Sequence, residues 1–85
     1  MNKWHWFVYV LECQDGFYYT GVTYNLEKRL EQHVSGKGSK FTSKHGFKCL
    51  KYFEEYEDLI QARAREHQIK DFNRKKKEAL WKKPK

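Results

Sequence analysis

Glu66 is the residue whose place in the sequence points most directly to chemistry. A carboxylate in the middle of a buried stripe must pair with an arginine or bind a metal ion, because an isolated buried charge is costly. The pattern alone favours the ion pair, since structural pairs are common. A helix of 3.6 residues per turn puts Glu66 in such a stripe, on one face with four other residues: Leu59, Ala62, Ile69 and Asn73.

A second group of candidate residues comes from the first half of the chain. Arg29 and His33 are four residues apart in a helical pattern, so both lie beside its apolar stripe. Such a pair alone is more typical of a solvated helix flank. Tyr9 and Tyr19 lie in two strand-like runs, where most tyrosines have packing roles. Convergence of these four side chains with Glu66 would instead indicate a site.

The first quarter of the chain predicts the β-hairpin that would carry both tyrosines. Residues 7–13 are a β-branched and aromatic run, residues 14–16 (Gln-Asp-Gly) are a turn signal, and residues 17–22 are a second aromatic run. Tyr18 and Tyr19 should point to opposite faces. Gly21, inside the second run, indicates a close approach of backbone or substrate, or else a bulge.

Helices and one further strand should follow. Asn25 is expected to cap a helix that runs to Val34, with Leu26, Leu30 and Val34 as its apolar stripe. Residues 35–46 are rich in Gly, Ser and Lys, and predict an exposed, mobile basic loop. The remaining expectations are a strand at 48–54, a helix capped by Asp58 that runs to about Phe72, and a short basic helix from Arg74 that docks through Leu80 and Trp81.

Length and charge limit the class of protein. The 85 residues allow one domain, with a core at about 6–81 and a basic tail at 82–85. A net charge of +7 favours a polyanionic partner, with nucleic acid first. No apolar run approaches the ~20 residues of a spanning helix, and no secretory leader is evident, so we expect a cytoplasmic protein. Cys13 and Cys49 form no metal or disulfide motif and are expected in the core.

The order of these residues resembles the GIY-YIG nuclease domain. Each motif is short, but five elements in order make a fairly specific signal. The resemblance extends from about Trp6 to Trp81, and the Gly36-Lys37-Gly38 loop is similar to that of small stand-alone bacterial members. The matching elements are Phe7-Val8-Tyr9, then Tyr19-Thr20-Gly21 ten residues later, Arg29 with His33 on the next helix, and Glu66 on the one after.

The resemblance implies an α+β fold, a three-stranded antiparallel β-sheet flanked by helices, with a nuclease site that uses one divalent cation, Mg²⁺ or Mn²⁺. Phe7 and Thr20 stand where the motifs have glycine and isoleucine, at positions of backbone and packing. The family's site residues would be Tyr9, Tyr19 and Gly21 of the two motifs, the phosphate-contacting Arg29, the histidine His33 and the metal-binding Glu66.

These residue types are suited to the hydrolysis of a phosphodiester bond. This reaction requires an activated water, stabilised charge on the non-bridging oxygens and help for the leaving 3′ oxygen. Under the resemblance Glu66 would hold the cation and Arg29 the phosphate. Tyr9 would position or deprotonate the water, but a tyrosine of pKa ~10 needs nearby cations, such as Arg29, the metal or Lys70, to act as a base. His33 could take that role instead, and the sequence leaves both residues open.

Binding of nucleic acid is expected to involve the basic loop and the C-terminal segment. DNA is the expected partner and RNA the alternative, and the chain is taken as a monomer. We expect an endonuclease selective for structure; the alternatives are a catalytically silent scaffold that binds nucleic acid, and a basic protein-interaction domain. The expected contacts are Gly21, Lys37, Lys40, Lys44, Lys70, Lys75, Lys76 and Lys77, together with Asn73, where some family members have a polar residue.

Overall fold

The computed structural model describes residues 5–82 and contains one antiparallel sheet with strand order β2-β1-β3. This confirms the predicted α+β fold class. No helix within the described range is long and apolar enough to cross a membrane. The elements are β1 (Trp6–Cys13), β2 (Tyr18–Thr23), α1 (Leu26–Val34), α2 (Lys40–His45), β3 (Phe47–Tyr56), α3 (Leu59–Lys70) and α4 (Arg74–Glu78).

The register of β1 divides the sheet into two faces of different composition. Tyr9 lies opposite Gly21 of β2 and Phe53 of β3. Because side chains alternate along a strand, Tyr9 lies on one face and its neighbours Val8 and Val10 lie on the other. We call the side with Tyr9, which contacts α1 and α2, the front face, and the side with Val8 and Val10, which contacts α3, the back face.

The back face carries the aliphatic core. Val8 and Val10 pack against Ala62 and Ile69 of α3, and all four side chains are fully buried. Burial of a valine or isoleucine side chain contributes about 1.5–3 kcal/mol, so this cluster supplies much of the stability. Aromatic and aliphatic side chains complete it at its margin, including the predicted docking residues Leu80 and Trp81.

A charged residue, Glu54, also lies on the back face, and hydrogen bonds and a nearby arginine compensate its negative charge. Glu54 accepts hydrogen bonds from Arg65 Nε and Nη2 at 2.9 Å, from the Tyr56 hydroxyl at 2.6 Å and from Tyr52. Burial alone would raise the pKa of Glu54, but the hydrogen bonds from Arg65 and the two tyrosines lower it to about 2. Arg65 is therefore committed to Glu54.

Helix α1 begins as predicted, but it turns a different face inward. The Asn25 side chain caps it by accepting from the Lys28 amide at 3.0 Å. The prediction of Val34 as a buried residue is wrong, because Val34 is 67% exposed while His33 is only 1% exposed. The helix thus buries His33 against the front face, while Leu26 and Leu30 of its apolar stripe are half-buried.

Residues 35–46 are not the irregular loop that their composition predicts, since they contain α2. Ser39 caps this helix by accepting from the Thr42 amide at 3.0 Å. Helix α2 ends at Gly46, whose φ of +79° favours glycine. Helix α3 also ends earlier than predicted, at Lys70, so Asn73 lies beyond it and caps α4.

The hairpin turn, residues 14–17, is bonded to elements from both layers. The Gln14 amide donates to the Gly46 carbonyl at 2.8 Å, and Asp15 bonds the His45 ring, which ties the turn to α2. On its other side, Arg74 of α4 donates to the Gly16 carbonyl at 2.6 Å. The turn is thus fixed by the helices before and after β3. Cys13 beside it is buried, as predicted, whereas Cys49 is only half-buried.

Candidate active site

Tyr9 is the centre of the candidate site and is fully buried. Its ring leans across the neighbouring strand onto Gly21, where an added Cβ would lie 2.5 Å from the Tyr9 hydroxyl oxygen. A side chain at Gly21 would therefore displace the phenol. The group that approaches Gly21 is therefore the Tyr9 side chain rather than the predicted backbone or substrate, and β1 and β2 pair there without a bulge.

A chain of hydrogen bonds leads from Tyr9 into the front layer. The Tyr9 hydroxyl lies 3.0 Å from His33 Nε2, and His33 Nδ1 lies 2.8 Å from the Thr42 hydroxyl. The Tyr19 ring packs against both, with centroid distances of 6.2 Å to Tyr9 and 5.3 Å to His33. Two strands and two helices thus meet at one imidazole.

The partners of Thr42 are compatible with a proton on Nδ1 of His33. The Thr42 hydroxyl lies 3.4 Å from the Ser39 carbonyl, which can only accept, and 2.9 Å from the Ser39 hydroxyl, which can donate. If Thr42 donates to the carbonyl, its oxygen is free to accept from His33 Nδ1–H. His33 Nε2 then carries the lone pair and accepts the Tyr9 hydroxyl proton.

The surroundings keep both groups of this pair neutral near pH 7. Burial, followed by the positive charge of Arg29, lowers the pKa of His33 to about 4. Burial and the neighbouring Tyr19 raise the pKa of Tyr9, Glu66 adds to that effect, and Arg29 opposes it. Burial is the largest of these effects on Tyr9, and Arg29 offsets it only in part.

Arg29 is half-buried beside this pair. Within residues 5–82 no carboxylate lies within ion-pair distance of it. A half-buried guanidinium without an anionic partner is suited to bind an anion such as a phosphate. Lys28 and Gln32 line the same depression on α1.

Glu66 comes from α3, on the other side of the sheet, and its charge still acts on Tyr9. Its side chain is 13% exposed, and its carboxylate pairs with Lys70 Nζ at 3.1 Å. An ion pair is therefore present, but the partner is a lysine one turn later and not an arginine. Lys70 is 50% exposed, so this pair is open to water.

The single carboxylate of Glu66, which is partly open to water, is compatible with binding of Mg²⁺. The described part of the chain contains no cluster of three or more histidine, cysteine or acidic side chains that could enclose a metal ion. Mg²⁺ commonly keeps several waters and takes one or two protein carboxylates together with substrate phosphate oxygens. Glu66 fits that pattern, while both nitrogens of His33 are already hydrogen-bonded.

The predicted nucleic-acid contacts are divided between the two sides of the sheet. Lys37, Lys40 and Lys44 line one depression beside α2, and no carboxylate of residues 5–82 pairs with them. Gly21 lies on β2 against the Tyr9 ring, and the others lie on α3, on α4 or, for Asn73, between these helices, near the back-face core. There Lys70 pairs with Glu66, and Asn73 caps α4. The Lys76 Nζ lies 4.6 Å from the centre of the Phe72 ring. Burial lowers the pKa of Lys77, and Lys75 is exposed. Residues 83–85 of the predicted tail lie outside the described residues.

Three residues that hold His33 were not predicted. Thr42 and Ser39 bond its ring or each other, and Gly38 lies where an added Cβ would collide with the imidazole. A sequence signal exists for the first two, because a serine at an N-cap bonds the amide three residues later. Nothing in the sequence indicates that Gly38 faces a histidine.

The chain is similar to known proteins over most of its length. The GIY-YIG family, described as the GIY-YIG catalytic domain, matches residues 5–79. A UPF0213 protein of Bacillus cereus is 48% identical over 75 residues, 88% of this chain and 78% of that protein. A UPF0213 protein of Halobacterium salinarum is 40% identical over 74 residues, 87% of this chain and 96% of that protein. The solution NMR structure of a UPF0213 protein from Bacillus halodurans has a TM-score of 0.57 and 39% identity, and covers 89% of this chain and 81% of that chain.

Proposed function

The chain belongs to the GIY-YIG family, a nuclease superfamily, and on this premise we propose that it is an endonuclease that hydrolyses phosphodiester bonds of DNA. The observation that carries the proposal is the buried Tyr9–His33 pair beside the guanidinium of Arg29, which has no carboxylate partner within residues 5–82. A neutral imidazole, a phenol and a free anion-binding group are what attack of water on a phosphodiester needs.

The proton transfers follow from the hydrogen bonds. Tyr9 is buried in the unbound chain, so the attacking water has to reach its oxygen when the substrate binds. As the water oxygen forms its bond to phosphorus, the water proton passes to the Tyr9 oxygen, and the Tyr9 proton passes to His33 Nε2. The bond from phosphorus to the 3′ oxygen breaks, this oxygen takes a proton from solvent, and His33 returns its proton to solvent after the reaction. In this scheme Tyr9 accepts the proton of the water and His33 accepts the proton of Tyr9, so the two residues act together as the general base. Tyr9 needs no lowered pKa, because it never has to exist as a free phenolate.

Charge on the phosphate is handled by Arg29 and Glu66. Arg29 binds the non-bridging oxygens, whose negative charge grows in the transition state. Glu66 would hold Mg²⁺ or Mn²⁺, which when bound neutralises phosphate charge and assists the leaving oxygen. Lys70 would leave Glu66 when the cation binds and is then free for the strand. Lys37, Lys40 and Lys44 bind flanking phosphates.

Cleavage assays with Tyr9→Phe test this proposal. Labelled single-stranded, flapped, branched and duplex DNA, and the matching RNA, are incubated with the protein in Mg²⁺, in Mn²⁺ and in EDTA. We expect metal-dependent cleavage of DNA by the wild type and a loss of roughly 10²- to 10⁴-fold in Tyr9→Phe. Arg63→Ala, at an exposed position on α3, is the control and should cleave like the wild type.

Two results would contradict the proposal. Equal cleavage by Tyr9→Phe and the wild type would remove Tyr9 from the chemistry. Absence of cleavage on every substrate, with salt-sensitive binding retained, would make the chain a silent nucleic-acid-binding scaffold.

A further inference from the structure

A row of aromatic rings extends from the candidate site to the surface. The Tyr19 ring packs against the Phe41 ring of α2 with a centroid distance of 5.8 Å, and Phe41 lies 6.4 Å from Phe17. The His45 ring packs against both phenylalanines, 4.3 Å from Phe41 and 5.0 Å from Phe17. Phe17 is therefore two ring contacts away from Tyr19, which itself touches Tyr9 and His33.

Phe17 is the exposed end of this row. Its side chain is 55% exposed, although the turn around it is well fixed. Asp15 bonds His45 below the ring, and Arg74 holds the Gly16 carbonyl beside it. A phenylalanine so exposed contributes little to a core, and here it presents a flat apolar surface in a fixed position.

Positive charge borders the same surface. Lys40 and Lys44 belong to the helix that carries Phe41, while Arg74, which lines a depression with Phe17 and Asp15, is already paired with Glu78 at 3.2 Å. Neither lysine has a carboxylate partner within residues 5–82. Proteins that bind unpaired nucleic-acid strands combine such cationic groups with aromatic rings on which the bases stack.

We propose that Phe17, supported by Phe41, stacks an unpaired base of the strand whose phosphate lies at Arg29, so that the substrate class is single-stranded nucleic acid. The identity of that phosphate rests on the proposed function. Within a duplex both faces of a base are covered by its neighbours, so a fully paired strand has no face to offer Phe17. The same strand can place its phosphates near Lys40 and Lys44.

Binding of a labelled oligothymidine, measured by fluorescence anisotropy in EDTA, tests the stacking without any cleavage. We expect Phe17→Ala to weaken this binding roughly 5- to 150-fold, the usual effect of removing one stacking ring. Phe17→Trp should restore it. Binding of a blunt duplex should not change. Ile60→Ala is the matched control, because Ile60 is 78% exposed on α3, and it should bind like the wild type.

Two further comparisons separate stacking from packing. An abasic strand with the same phosphates should bind the wild type no better than oligothymidine binds Phe17→Ala. Phe17→Leu keeps apolar volume without a ring, so it should bind as weakly as Phe17→Ala. The slope of affinity against salt should be the same in all variants, because the phosphate contacts are unchanged.

The proposal is overturned if Phe17→Ala or Phe17→Leu binds oligothymidine like the wild type, or if the abasic strand binds equally well. Circular-dichroism melting of each variant shows that binding is measured on folded protein. Failure of the nuclease proposal has a different signature, which is stacking-dependent binding without cleavage. Cleavage that is insensitive to Phe17 would overturn the stacking surface alone.

Discussion

The two faces of the sheet differ in what they bury at their centres. The back face packs Val8, Val10 and Ile69, whose side chains have no polar atoms, whereas the front face buries Tyr9 and His33, which are joined by a hydrogen bond. Buried polar groups stabilise a fold less than aliphatic groups do, and they are costly if one partner is lost. The comparison teaches that the aliphatic core lies on the back face and the Tyr9–His33 pair on the front, with Glu66 of α3 as the candidate site residue that comes from the back.

The largest expected effect comes from Glu66→Gln. Under the proposed function the cation loses its protein ligand, and cleavage should fall on the order of 10³-fold. The melting temperature should hardly change, because a half-exposed ion pair contributes only about 0–1 kcal/mol. Lys70→Gln is the control, since it breaks the same ion pair and leaves the carboxylate; cleavage is compared at saturating DNA, because Lys70 is also proposed to contact the strand. If both variants lose cleavage equally, Glu66 acts through the ion pair and not through a metal.

The next effect is on the back face. Ile69→Ala should lower the free energy of unfolding by about 2–5 kcal/mol, because it removes fully buried methyl and methylene groups and leaves a cavity. Urea titration measures this loss. Activity per folded molecule should stay close to that of the wild type. A tenfold fall in that specific activity would mean that the two faces are not separable.

Acid should affect the front face before the back face. The pKa of His33 is about 4 in the folded chain and about 6.5 when unfolded, so its stabilising contribution is present above pH 6.5 and is lost as the pH falls toward 4. The loss should be about 1–3 kcal/mol. The pKa of Glu54, near 2, places its own loss between about pH 4.5 and 2.

His33→Gln separates these two ranges. Urea titrations of both proteins at a series of pH values should show that the variant loses the slope between pH 6.5 and 4 and keeps the slope below 4.5. An unchanged slope near pH 5.5 in the variant would assign that range to another group.

The smallest effect should come from Thr42. Thr42→Val removes the acceptor of His33 Nδ1–H, and a misplaced proton on the ring should reduce cleavage roughly tenfold, the lower part of the range for an acid–base group. Thr42→Ser keeps the hydroxyl and should retain activity. The ¹⁵N shifts of the His33 ring report the proton position directly. A serine variant as defective as the valine variant would show that the methyl group matters instead.

The sequence predicted the sheet and the capped helices because their signals are local. The aromatic runs on either side of residues 14–16 and the caps at Asn25 and Asp58 are recognisable without knowing the rest of the fold. Helix α2 was missed because glycine, serine and lysine in residues 35–46 outweigh its short apolar content. Its stability comes from Ser39 and from bonds to the hairpin turn, which composition does not reveal.

Residue types at the site were predictable from resemblance, and their bonds were not. Tyr9 and His33 are 24 positions apart, and no spacing rule indicates that the hydroxyl reaches Nε2. The apolar stripe of α1 predicted a buried Val34, but the structure buries the adjacent His33 against the front face instead. The ion pair of Glu66 was expected with an arginine, and Arg63 and Arg65 are close to it in the sequence. Arg65 instead pairs with Glu54, and Glu66 pairs with Lys70.

The hairpin turn also bears on how the molecule unfolds. Residues 14–17 are bonded to α2 of the front layer and to Arg74 of α4 at the same time. An opening of the C-terminal helix therefore releases one support of the segment that carries Phe17, although the two are far apart in sequence. In amide exchange the turn and α4 should open as one cooperative unit. Truncation of the chain before residue 74 should therefore increase exchange in the turn that carries Phe17.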